Sequence, residues 1–102
     1  MNAKVAVLGT LRFPPERLDE VLPHLQQLIA ATYRSDGCIA YDAALDPFDK
    51  GLIRFCELWP DHESLARHLQ APHIAPWRAV TRHCGLIARQ FVAYDVSGSQ
   101  QV

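Results

Sequence analysis

A chain of 102 residues has room for one domain around one modest core, and 49% apolar with 21% charged residues is the composition of an ordinary soluble globule. The formal charge of −1 gives no electrostatic reason to expect nucleic acid or an anionic membrane as partner, and the longest apolar run falls far below a membrane span. The start, Met1-Asn2-Ala3-Lys4-Val5, passes straight into strand-like residues without the apolar core and cleavage site of a signal peptide, so a cytoplasmic chain is expected.

Lys4 to Phe13 alternates loosely, with Val5, Val7 and Leu11 on one face and Ala6 and Leu8 on the other, which predicts a strand covered on both sides. Pro14-Pro15-Glu16 opens a helix, because proline suits a first turn and an acidic residue favours the positive helix end. Leu18, Val21, Leu22, Leu25, Leu28, Ile29 and Thr32 then recur at spacings of three and four, one apolar stripe. Pro23 falls inside that stripe and predicts a kink by removing the bond to the Asp19 carbonyl. Ser35-Asp36-Gly37 ends the helix, Gly37 being free to turn left-handed.

Cys38 to Asp46 and Leu52 to Trp59 read as two strands joined by the turn-forming Pro47-Phe48-Asp49-Lys50-Gly51. On the second, Ile53, Phe55, Glu57 and Trp59 share one face, and Leu52, Arg54, Cys56 and Leu58 the other. Asp61 is placed to cap a helix carrying Leu65, His68 and Leu69 inward, and Pro72 stops it. A short helix follows, roughly Pro76 to Cys84, with Trp77 just past Pro76 at its irregular start. Leu86 to Val96 is a last strand, and residues 97–102 form a loose tail beyond a single domain of residues 1–96. Cys38, Cys56 and Cys84 have neither zinc-ligand nor redox-motif spacing, so reduced, mostly buried thiols are expected.

The order β-α-β-β-α-β is the split βαβ of an α+β, ferredoxin-like fold. Two helices cover only one face of a four-stranded antiparallel sheet, yet this sheet reads as apolar on both. The simplest cover for the second face is another copy of the chain, which predicts a homodimer.

With the fold in view, the chain resembles the antibiotic biosynthesis monooxygenase family, whose members form dimeric α+β barrels. The matching residues are Asp36-Gly37-Cys38-Ile39-Ala40-Tyr41-Asp42 at the second strand, Glu57-Leu58-Trp59 closing the third, and Leu65-x-x-His68-Leu69 on the helix. Pro72-His73 and Trp77 complete the pattern, and the likeness extends from the first strand through Tyr94. It implies a cofactor-free enzyme, using neither flavin, metal nor haem, that oxidises a small phenol, quinol or anthrone with dioxygen. Such a protein needs an aromatic pocket that excludes water, a base, and donors that hold the phenolate.

Glu57 to Trp77 holds three of the five histidines and both tryptophans, and the candidate chemistry concentrates there. His68 is either the base or a buried histidine satisfied by a backbone carbonyl. Glu57, between Phe55 and Trp59, is either a catalytic carboxylate or one paired with Arg89 or with Arg54 of a neighbouring chain. Trp77, Trp59, Tyr41 and Phe55 are candidate substrate contacts as well as core residues. His73 flanks the pocket or caps a helix. His24 and His62 read as solvated, and His83 lacks the spacing of a metal site. No G-x-S-x-G, Walker loop or G-x-G-x-x-G is present.

Three alternatives stand beside the monooxygenase. One is a non-catalytic dimer that binds a small aromatic ligand. Another is an isomerase of a small phosphorylated signalling molecule, with Arg12, Arg54 and Arg89 as its cationic site. The last is haem degradation, from which the sequence departs. A haem-degrading relative of this fold carries an asparagine on the first strand, a tryptophan on the second helix and a histidine ligand after it. Here the only asparagine, Asn2, precedes the first strand, His68 stands at the tryptophan position, and the ligand position falls near Trp77-Arg78.

Overall fold

The computed structural model describes residues 2–102. Strand β1 (Val5–Arg12) leads through one 3-10 turn (Pro15–Arg17) into helix α1 (Leu18–Ser35). The hairpin strands β2 (Ala40–Leu45) and β3 (Leu52–Trp59) come next, then helices α2 (His62–Leu69) and α3 (Ile74–His83), and strand β4 (Ala88–Asp95). The sheet order is β2-β3-β1-β4, antiparallel throughout, which is the ferredoxin-like α+β arrangement. No helix is long and apolar enough to cross a membrane.

Register decides which side chains meet the helices, because side chains alternate along a strand. Val7 lies opposite Glu57 and Ala93, and Gly9 opposite Phe55 and Phe91. These odd positions, with Tyr41 on β2, face the helices and pack with Val21, Leu25 and Leu28 of α1. The even positions, among them Leu8, Arg54, Cys56, Val92 and Tyr94, make the other face, and Leu8, Val92 and Tyr94 are exposed there.

Helix α1 continues through Pro23. Three local expectations change. Pro76 lies inside the first turn of α3, which starts at Ile74; the amide that proline lacks would have had no partner within the helix there, so Trp77 is helical. Leu69, at the last residue of α2, is 42% exposed instead of inward. Of the three thiols only Cys84 is buried; Cys56 is exposed because the even positions of β3 point away from the helices, and Cys38 is intermediate.

Gly9 illustrates how tightly the helix-facing side is built. A Cβ there would lie 2.1 Å from the Phe91 ring, which crosses over the glycine and packs against Phe55 with centroids 5.2 Å apart. Gly9→Ala must push that ring aside, and a loss of about 1–3 kcal/mol in unfolding free energy is expected from overpacking. Denaturant unfolding of the variant beside wild type checks this; equal midpoints would mean the ring moves at no cost.

Candidate functional site

Between the helix-facing side of the sheet and helices α2 and α3 lies a cavity of about 450 Å³. Val7, Leu11, Phe55 and Phe91 supply its apolar floor, and Leu65 and Trp77 its helical wall. Tyr41, Glu57 and His68 bring polar atoms to it.

His68 reaches the cavity because Asp61 starts α2 correctly. The Asp61 carboxylate accepts the Ser64 amide at 2.7 Å, so about two turns after the cap residue 68 faces the sheet. The imidazole packs against Trp59 (centroids 4.9 Å) and Tyr41 (5.1 Å). Its Nδ1 lies 2.7 Å from Asp36 Oδ2, with the two side chains only 4% and 6% exposed. His73 Nε2 approaches the same oxygen, also at 2.7 Å. An ionised carboxylate only accepts, so in the neutral imidazole the proton sits on Nδ1 and the Nε2 lone pair is left free. No described residue hydrogen-bonds that Nε2. Burial lowers the pKa of His68 from its ordinary value, against the upward pull of Asp36. The ring is therefore unprotonated at neutral pH.

Asp36 is the residue sequence reasoning missed as part of the site. It follows α1 directly, its amide donating to the Thr32 carbonyl at 3.0 Å, and Gly37 then turns with φ 75°. That sharp exit leaves the carboxylate buried against α2, while the sequence signal, Asp before Gly, marks only a helix end. The backbone carbonyl expected beside a structural His68 is replaced by this carboxylate.

Glu57 is buried, and its Oε1 accepts the Trp59 Nε1 proton at 2.9 Å. Burial pushes its pKa up, with Trp59 and Arg89 pulling the other way. Arg54 is not its partner within the chain: that guanidinium binds Asp46 at 2.8 Å. Burial also raises the Tyr41 pKa strongly, so the phenol stays protonated and can donate. Its hydroxyl makes no hydrogen bond among the described residues.

The remaining expected residues divide. Phe55 and Trp77 line the cavity. Trp59 is wholly buried and lies behind Glu57 and His68, outside the lining. His73 begins α3 without a side-chain cap; its ring serves Asp36 and borders a separate groove beside α1. His62 is exposed and hydrogen-bonds Asp95, His83 pairs with Glu20, and His24 is solvated. The phosphate site imagined from three arginines does not assemble. Arg12 makes a two-pronged bond to Asp49 and Arg54 pairs with Asp46, leaving only Arg89 at the cavity. Arg78 and Arg82, which the sequence reading passed over, line it as well.

Asp36, His68 and His73 form a group whose possible metal-ligating atoms lie within 4.8 Å of one another. Tetrahedral zinc bonds of about 2.0–2.1 Å would spread such atoms to about 3.3 Å apart. Here each imidazole nitrogen stands 2.7 Å from the carboxylate, so the group is drawn together as a hydrogen-bond network.

Several solved structures with this architecture are named as antibiotic biosynthesis monooxygenases. The structure superposes on a provisionally assigned antibiotic biosynthesis monooxygenase of Deinococcus radiodurans with a TM-score of 0.89, at 22% identity over 96% of this chain and 97% of that one. A solved antibiotic biosynthesis monooxygenase gives 0.82 at 28% identity, covering 92% and 99% of the two chains. An uncharacterized Synechocystis protein, sll1783, is 26% identical over 69 residues, 68% of this chain; the match spans about half of that relative's length, 47%. The family model for antibiotic biosynthesis monooxygenases matches residues 4–80, from β1 into α3, and the chain belongs to that family.

Proposed function

We propose that this protein is a cofactor-independent monooxygenase that oxidises a small phenolic or quinol aromatic with dioxygen. The observation that carries this reading is the Asp36–His68 pair, which leaves a basic nitrogen on the wall of an aromatic cavity. His68 Nε2 takes the phenolic proton, and Asp36 stabilises the imidazolium that results. Tyr41, held protonated, donates to the phenolate oxygen. The electron-rich anion then reduces dioxygen itself. One oxygen atom bonds to ring carbon and the other leaves as water, so a phenol plus dioxygen becomes a quinone plus water. The substrate supplies every electron, and the protein's part is deprotonation, orientation and exclusion of bulk water.

Oxygen uptake across hydroxynaphthoquinols, anthrones and catechols tests the reading. One dioxygen consumed per quinone formed is the expected result. Tight binding of these rings without uptake would establish the non-catalytic ligand binder instead.

The same reading includes a homodimer packed sheet to sheet. Leu8, Val92 and Tyr94 stand exposed on the sheet face that no helix covers, which supports it. Light scattering at micromolar concentration is expected to return twice the 11.5 kDa chain mass. A stable monomer at that concentration would remove the sheet-to-sheet argument.

A further inference from the structure

Three cationic side chains around the cavity have no role in the chemistry above. Arg78 and Arg82 lie one turn apart on α3, and Arg89 stands across from them on β4, in register with Leu11. All three line the cavity and are exposed, so they sit where it opens to water. The lining's single carboxylate is Glu57.

Of the five arginines elsewhere, Arg12, Arg17 and Arg54 each hold a carboxylate at 2.7–3.0 Å, while Arg34 and Arg67 stand apart from the cavity without one among the described residues. Among the described residues, Arg78, Arg82 and Arg89 hold none. Two of them are nevertheless fixed in place. Arg78 donates to the Leu69 carbonyl at 3.3 Å, and the Arg89 guanidinium lies 4.6 Å over the Phe91 ring. With the whole chain at −1, three unneutralised guanidiniums at one opening are a local concentration of positive charge rather than a general one.

Resting on the oxidation of an aromatic ring proposed above, we propose that the ring this cavity takes carries an anionic substituent, a carboxylate, held at the mouth by Arg78, Arg82 and Arg89. The fork of a guanidinium matches a carboxylate in a plane, and apolar surface from Phe55, Phe91 and Trp77 receives the ring beyond it. Anchoring the anion at the mouth sends the opposite end of the ring inward, toward the wall that bears Tyr41 and His68. The substrate class is thus a hydroxylated aromatic acid, its acid group outward and its hydroxyl inward.

Naphthoate and naphthamide, which match in shape and lack an oxidisable hydroxyl, test this by calorimetry on the intact protein. Exposed ion pairs are individually weak, so three acting together are expected to favour naphthoate by about tenfold at low salt, the preference shrinking at high salt. In Arg82→Gln, which loses no intramolecular side-chain bond, the preference falls; with Arg78→Gln and Arg89→Gln added, naphthoate binds no better than naphthamide. Equal affinity of the two probes for the wild type would overturn the proposal. So would a preference that survives the triple substitution, or failure of both probes to bind. Because neither probe is oxidised, these outcomes are separate from oxygen uptake. Uptake with neutral quinols but no preference for naphthoate leaves the monooxygenase standing and removes the anion site, and the reverse pattern removes the monooxygenase alone.

Discussion

His68→Ala is expected to lower oxidation of a phenolic substrate by about a hundredfold or more, the usual scale for losing a general base. The alanine variant is also expected to lose stability. His68 is buried between Trp59 and Tyr41, and its removal takes one of two imidazole donors from the buried Asp36. His68→Asn separates the two effects, since its side-chain amide can still donate toward Asp36 but offers no basic nitrogen. That variant should melt nearer wild type and still fail in turnover. Wild-type turnover in His68→Asn would reduce the histidine to a packing residue. The pH profile carries the same information. Burial lowers the His68 pKa, so activity is expected to be flat through neutrality and to fall only as pH drops through a midpoint below the free value of about 6.5. Stability follows the same sign. The unfolded histidine takes its proton near 6.5 and the folded one only at lower pH, so this site destabilises the fold progressively as pH falls across that window. Glu57→Gln should move the activity midpoint little, because the Glu57 carboxylate bonds to Trp59 and not to the imidazole.

Most of the fold was legible because its signals are local. Alternation along β1 and β3 sorted the faces correctly, and the spacing of Leu18, Val21, Leu25 and Leu28 found α1. The site was legible only in part, because its decisive contact joins residues 32 apart in sequence. His68 stood out as a polar residue on an apolar helix face. Asp36 did not, since an aspartate before glycine at a helix end has an ordinary explanation that is also true here. Trp59 shared a face with Glu57, but periodicity cannot say that the last residue of β3 lies behind His68, outside the cavity. Arg78 and Arg82 were hidden for the opposite reason: arginines on a short helix read as a solvated face until a strand carrying a third arginine is seen opposite them.

Asp36→Asn carries the second large effect. The substitution keeps the size of the side chain, and its carbonyl oxygen can still accept from His68 Nδ1 and His73 Nε2. What disappears is the negative charge beside an imidazole that must become imidazolium when it accepts the substrate proton. Turnover is expected to fall by about 10²–10⁴-fold. The His68 pKa loses its main upward pull, so the midpoint of the activity profile should move further down while the plateau drops. A merely structural aspartate predicts neither change. Stability should suffer modestly, by about 1 kcal/mol, because charge-assisted hydrogen bonds become neutral ones but remain made. Asp36→Ala should cost more, since it leaves two imidazole donors without an acceptor at about 1–3 kcal/mol each, less for the partly exposed His73. His73→Asn is the companion measurement. His73 lies outside the cavity lining and acts only by holding the carboxylate, so its loss should lower turnover far less than Asp36→Asn. If Asp36→Asn keeps wild-type turnover and the wild-type pH midpoint, the carboxylate does not support a base, and His68 and Asp36 are a buried structural pair.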